Sequence, residues 1–264
     1  MTTTNRGDAG AMDRASGRGD QGADGGWITE AEAVRIALGG SPTAKLGVAL
    51  RALYELIKDT GRTEQVFLLG IVLNGPLVPR LIARIAASPG GPELLAEGPT
   101  IDSRSVDFAE LRALPADTLG GAYARYLDDN GLDPDLFQTP PGLPPILQTI
   151  ARRIRQTHDV WHVLTGYAPD VHGELALQGF TFAQLGMPSA LLIATVGTAA
   201  RSPRSASAVV EGYRRGVEAE FLAPVRFERM WSEPLEAVRA RLNVRPRSTK
   251  AARGKWPKTF QLAA

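Results

Sequence analysis

A chain of 264 residues, 44% hydrophobic and 22% charged, has the balance of a globular protein with one well-buried core or two small domains. It contains no cysteine, which excludes disulfides, zinc fingers, cysteine-ligated clusters and cysteine nucleophiles, so any metal must be held by nitrogen and oxygen. The formal net charge is only +2 and no nucleic-acid-binding motif is present, so nucleic acid is not an expected partner.

Residues 1–26 are rich in Gly, Asp, Arg, Ser and Thr and have almost nothing to bury, which predicts a disordered tail. They hold no apolar stretch of the secretory kind. The expected location is therefore the cytoplasm, with peripheral contact at the inner face of the cell membrane. Thr29 and Glu32 form a capping-box pattern, and a short helix over 29–38 stops at Gly39-Gly40. Residues 43–59 keep helical apolar spacing. Residues 63–88 read as two helices split at Asn74-Gly75-Pro76. The apolar runs near 66–78 and 190–196 both fall short of the ~18–20 residues that span a bilayer.

A proline-rich connector over 89–117 carries one short helix near 107–113, and a helix at 118–129 ends at Asn130-Gly131. A second proline-rich arm leads to a long helix over 145–164. Two helices follow in 172–200 and another in 206–222, where Gly212 and Gly216 would let a neighbouring helix approach closely. A last helix spans 233–242. No run of period two and no internal repeat occurs. The fold class expected is all-α: one domain over 27–243 with about nine or ten helices, followed by a basic tail over 244–264.

All three histidines fall within His158–Glu174, HDVWHVLTGYAPDVHGE. His158 and His162 are four apart and share one helical face, and Asp159 stands three before His162. Glu174 returns twelve positions later, across a break at Gly166 and Pro169. Two imidazoles and a carboxylate brought together in this way suit a divalent metal. The plainer alternative is that these side chains cap and pack ordinary helices.

The spacing HDxxH, eleven residues, then Glu is that of the coenzyme Q (ubiquinone) biosynthesis protein 4 family, which this chain resembles over roughly 43–243. Gly91-Pro92-Glu93-Leu94-Leu95, Leu114-Pro115-Ala116-Asp117-Thr118-Leu119-Gly120 and Trp231-Ser232-Glu233-Pro234-Leu235 are similar to its other blocks, in the same order. The resemblance implies an all-α fold and a metal held by His158, Asp159, His162 and Glu174. It also implies work on a polyprenylated hydroxybenzoate, as oxidative decarboxylation at ring carbon C1, with Glu174 and Asp159 as the catalytic candidates. It further implies quinone-biosynthesis enzymes and a membrane surface as partners. Homo-oligomerisation is compatible with it. Two places depart from the family: Gln178 and Thr181 stand where a lysine and an acid are usual, and Arg226-Phe227-Glu228 replaces Asp-Trp-Glu.

Zn²⁺ is the first expectation for the ion, with Fe²⁺ in the two-His-one-carboxylate manner as the alternative. His172 and Asp170 are candidate proton carriers, although water-facing loop residues look the same. Arg155 and Arg152, about one and two turns before His158, are candidates to meet a substrate carboxylate or phosphate. Trp161 and Phe180 are expected in the core. The rival reading is a non-catalytic scaffold that binds prenyl lipid, and a closed four-ligand metal site would favour it.

Overall fold

The computed structural model describes residues 27–59, 62, 64–136, 142–200 and 203–247; the tail over 1–26 and most of the basic tail over 244–264 lie outside them. Twelve α-helices and no strand occur among the described residues, close to the count expected. The first four are α1 (Glu30–Gly39), α2 (Pro42–Lys58), α3 (Glu64–Asn74) and α4 (Val78–Ala86). Thr29 caps α1 in a complete capping box with Glu32. A short 3-10 turn, Gly75–Leu77, joins α3 to α4. That turn carries the helical path through Pro76, so 64–86 forms 23 helical residues that are long and apolar enough to cross a membrane by length and composition. The shorter run expected from the sequence broke at Gly75-Pro76. In the fold, Leu68, Leu69 and Val72 of this segment are buried against α1, α2 and α10 (Pro188–Ala200).

The connector holds α5 (Gly91–Glu97), missed by periodicity because it is only two turns long, and α6 (Phe108–Ala113). Then come α7 (Leu119–Asn130), α8 (Pro145–Thr165), α9 (Val171–Leu185), α11 (Ala206–Glu218) and α12 (Leu235–Arg241). The chain stays packed past 243: Val244 is buried and the Arg247 N–H donates to the Thr165 carbonyl.

Helix α8 is the central strut. From Gln156 to Thr165 only His158 is not buried. A helix enclosed on nearly every side must pair its polar groups internally. Gln156 accepts from the Ile101 N–H, and Arg153 donates to the Val225 carbonyl and to Glu228. Arg226-Phe227-Glu228 is therefore a structural clamp on α8. The Glu228 carboxylate compensates a buried guanidinium, and the Phe227 ring is wholly buried.

Two apolar clusters result. One gathers α1, α2, α3 and α10; the other is built on α4 to α9 with the C-terminal segments. Helix α9 serves both, giving Leu175 to the first and Ala176, Leu177 and Phe180 to the second. Trp161 and Phe180 meet edge to face in the second, as expected of core residues. Helices α9 and α11 lie almost in backbone contact. A Cβ on Gly212 would stand 2.1 Å from the Ala176 carbonyl oxygen, and one on Gly179 would stand 2.3 Å from that of Val209. The close approach expected of Gly212 and Gly216 is thus realised, and Gly179 on the facing helix completes it.

Candidate metal centre

The break between α8 and α9 sets the site. Helix α8 ends in Gly166 at φ 69°, a left-handed conformation glycine adopts without strain. Helix α9 starts at Asp170, whose Oδ1 accepts from the Gly173 N–H at 2.7 Å. The turn is short enough to bring the first turn of α9 beside the last turns of α8. Each helix end suits its side chain there. A carboxylate is favoured near the positive N-terminus of α9 and a cation near the negative C-terminus of α8.

His158, His162 and Glu174 converge. The two imidazole Nε2 atoms are 3.2 Å apart. Glu174 Oε1 is 3.1 Å from His162 Nε2, and its Oε2 is 3.4 Å from His158 Nε2. Three donors bound tetrahedrally to one ion at about 2.0–2.1 Å stand roughly 3.4 Å from one another. The observed triangle has that size, so the residues fit a divalent metal. The His162 Nδ1–H donates to the Tyr167 carbonyl at 3.0 Å, which leaves Nε2 as the lone-pair nitrogen turned toward the other two donors.

Asp159 does not join this triangle. It is buried beside the two imidazoles, and its charge is felt by the Tyr123 and Tyr126 phenols of α7. Burial pushes its carboxyl up to about 6, against the opposing pull of the histidines. Glu174 behaves oppositely. Burial alone would raise it, but the His162 charge and hydrogen bonds from both imidazoles outweigh burial and hold it at about 2. Burial lowers His162, while Glu174 and Asp159 more than compensate and leave it raised.

These shifts have opposite consequences in the metal-free protein. Asp159 binds its proton more tightly when folded, so it opposes folding increasingly as pH rises from 3.8 through about 6. Glu174 contributes stability above its ordinary 4.5, which is lost as pH falls toward about 2. Asp159→Asn is therefore expected to stabilise the metal-free protein at pH 8 by about 3 kcal/mol, with the gain gone below pH 4. Urea unfolding at both pH values checks this, and equal destabilisation at both would contradict it.

His158 and Glu174 open onto a cavity of about 460 Å³ between the two apolar clusters. Arg155, Gln178 and Thr181 also line it, as do Lys45, Asn74 and Ser189; the remaining walls are mostly apolar, Phe67, Ile71, Leu147, Ile154 and Ile193 among them. Glu174, Gln178 and Thr181 are spaced four and three apart, so one stripe of α9 faces the cavity. The Thr181 hydroxyl is buried without a partner.

The other sequence candidates separate. Arg155 lines the cavity, whereas Arg152 donates to the Gly98 carbonyl elsewhere. Asp170 is spent on the helix cap, and His172 Nδ1 pairs with Ser205 Oγ at 2.9 Å, so neither joins the metal triangle. Tyr126 was missed. Its ring stacks on His162 with centroids 5.5 Å apart, a contact between α7 and α8 that no local spacing announces.

The sequence profile described as Coenzyme Q (ubiquinone) biosynthesis protein Coq4 matches residues 38–248. A mitochondrial ubiquinone biosynthesis protein COQ4 of Coprinopsis cinerea is 32% identical over 199 residues, 73% of this chain and 68% of that protein. The COQ4 homologue of Nematostella vectensis is 31% identical, over 70% of this chain and 93% of that one. That of Bos taurus is 30% identical, over 75% and 76%. A crystal structure from Nostoc punctiforme, of a protein named for ubiquinone biosynthesis, shares the fold with a TM-score of 0.62 at 23% identity, covering 74% of this chain and 96% of that one.

These relatives correct the cytoplasmic location expected from the sequence, since they are named as mitochondrial proteins. The physical reason is that the absence of an apolar stretch excludes only a secretory leader. Mitochondrial leaders are amphipathic and basic rather than apolar.

Proposed function

The chain belongs to the Coenzyme Q (ubiquinone) biosynthesis protein Coq4 family, and on that premise we propose that it is a metal-dependent enzyme acting on a polyprenylated hydroxybenzoate. The reaction is oxidative decarboxylation at ring carbon C1. The carboxylate leaves as CO₂ and a hydroxyl takes its place. The ring system gives up two electrons overall, so an oxidant of the dioxygen class is a required co-reactant.

The observation that carries this reading is the three-donor triangle, two of whose members line a largely apolar cavity. A structural metal site is closed by four protein ligands, whereas three ligands beside a cavity leave a position for substrate. His158, His162 and Glu174 would hold the ion. A bound divalent ion would supply Lewis acidity toward a phenol or carboxylate oxygen of the ring. Zinc is the first candidate, and Fe²⁺ fits the same donors.

The chain's own residues do the rest. The Tyr167 carbonyl keeps His162 in one tautomer and ring orientation. Asp159 places a buried carboxyl beside both imidazoles, and its charge adds to that of Glu174 in holding His162 raised. The walls from α3, α8 and α10 exclude water from the ring and give the isoprenoid tail an apolar surface.

The test is CO₂ release from a prenylated hydroxybenzoate by the purified protein loaded with Zn²⁺ or Fe²⁺. His158→Ala removes a donor that faces the cavity without opening the core, and CO₂ release is expected to fall by at least roughly 100-fold. Undiminished release would remove the catalytic claim. Unchanged capture of partner enzymes by a protein that releases no CO₂ would establish the scaffold instead.

A further inference from the structure

Arg155 stands one helical turn before His158 and lines the same cavity. Its side chain is only 11% exposed, and its guanidinium carbon lies 4.0 Å from the centroid of the Phe67 ring, another wall residue. Nη2 donates to Glu30 Oε1 at 3.0 Å. Glu30 is the first residue of α1 and is itself buried. The family match begins at residue 38, so nearly all of α1 lies outside it. The helix is tied down by Trp27, whose Nε1 donates to Gln65 Oε1 at 3.2 Å. Its far end reaches the cavity through Ala37 and Leu38.

A buried guanidinium always carries its charge and always needs an anion beside it. Its planar fork matches a carboxylate, and stacking on Phe67 holds that plane fixed whichever carboxylate is bound. Exchanging one carboxylate for another keeps the charge balance, whereas bringing an acid to an uncharged wall would not. Residues three apart on a helix face the same way, about 5–6 Å between Cβ atoms. Arg155, His158 and Glu174 all line one cavity, so an aromatic acid bound there with its hydroxyl toward the metal triangle can present its carboxylate to Arg155.

We propose that Arg155 is the positioning residue that recognises the carboxylate of an aromatic acid, and that Glu30 is a built-in competitor that holds the guanidinium until that acid displaces it. The inference rests on the reading of the substrate as a prenylated hydroxybenzoate. Helix α1 then acts as a strap whose release accompanies entry of the acid.

The experiment compares binding of a prenylated 4-hydroxybenzoate with binding of the prenylated phenol that lacks the carboxylate, by titration calorimetry on the full chain. Glu30→Gln is expected to tighten the acid by roughly tenfold and leave the phenol unchanged. Trp27→Phe, which loosens α1 without touching Arg155, is expected to move the acid in the same direction. Arg155→Gln is expected to erase the preference for the acid while the phenol still binds. Arg155→Lys, which keeps the charge and loses the fork, is expected to lose most of the preference. In turnover, the arginine variants raise KM more than they lower kcat. Circular dichroism melts confirm that each variant folds. An Arg155→Gln protein that still prefers the acid as the unsubstituted chain does overturns the proposal. So does a folded Glu30→Gln protein with no gain for the acid. Equal binding of acid and phenol by the unsubstituted chain overturns this inference alone; binding of neither overturns the functional reading and this inference with it.

Discussion

His162→Ala is expected to lower the affinity for Zn²⁺ by more than about 100-fold, leaving the purified chain with almost no metal by elemental analysis. His162 is the most enclosed of the three donors, and its Nδ1–H is anchored to the Tyr167 carbonyl. Its loss removes one donor and the orientation of the remaining pair together. It also strips the buried Glu174 carboxylate of its principal counter-charge. A buried ion left alone typically costs about 3–5 kcal/mol, so the variant should also melt earlier at neutral pH than the metal-free parent. The second loss separates this variant from His158→Ala, whose ring borders the cavity and leaves the His162–Glu174 pair in place. Near-stoichiometric metal in His162→Ala would show that the triangle is not the binding site.

The other large effect lies away from the metal. Gly212→Val is expected to destabilise the fold by about 3 kcal/mol or more, because its Cβ would sit 2.1 Å from the Ala176 carbonyl oxygen, a backbone atom that no rotamer change can move. Relief requires α11 to back away from α9, and α9 carries Glu174. Metal affinity should fall along with the melting temperature, although residue 212 touches no donor. Gly47→Ala is the matched control. Gly47 lies on the exposed face of α2 with nothing within 4 Å of an added Cβ, so the substitution should stabilise by up to about 1 kcal/mol through helix propensity. Thermal unfolding of both proteins decides the matter. A Gly212→Val chain as stable as its parent would mean that α9 and α11 are not packed backbone to backbone.

What could be read in the chain is what local rules control. Thr29 and Glu32 start α1, and Asn74-Gly75-Pro76 divides 64–86 between α3 and α4. The four-residue step from His158 to His162 places both rings on one face. The spacing from His162 to Glu174 carried the family's pattern, and the short turn between Gly166 and Asp170 turned that spacing into contact. None of these steps needs information from outside a few helical turns.

Direction around a buried helix is a different matter. Each residue turns the side chain by about 100°. Arg153 and Arg155, two apart, point to nearly opposite sides, one clamped by Glu228 and the other facing the cavity beside Glu30. Asp159, one step from His158, lies outside the triangle and near enough to α7 for its charge to act on the Tyr123 and Tyr126 phenols, although its three-residue spacing to His162 suggested a shared ion. Tyr126 reaches His162 only because α7 packs against α8. The sequence thus determined which side chains share a helix face. Which face meets the cavity, which meets the core and which finds a counter-ion was decided by the packing of helices far apart in the chain, because burial and pairing are properties of neighbours that local spacing does not specify.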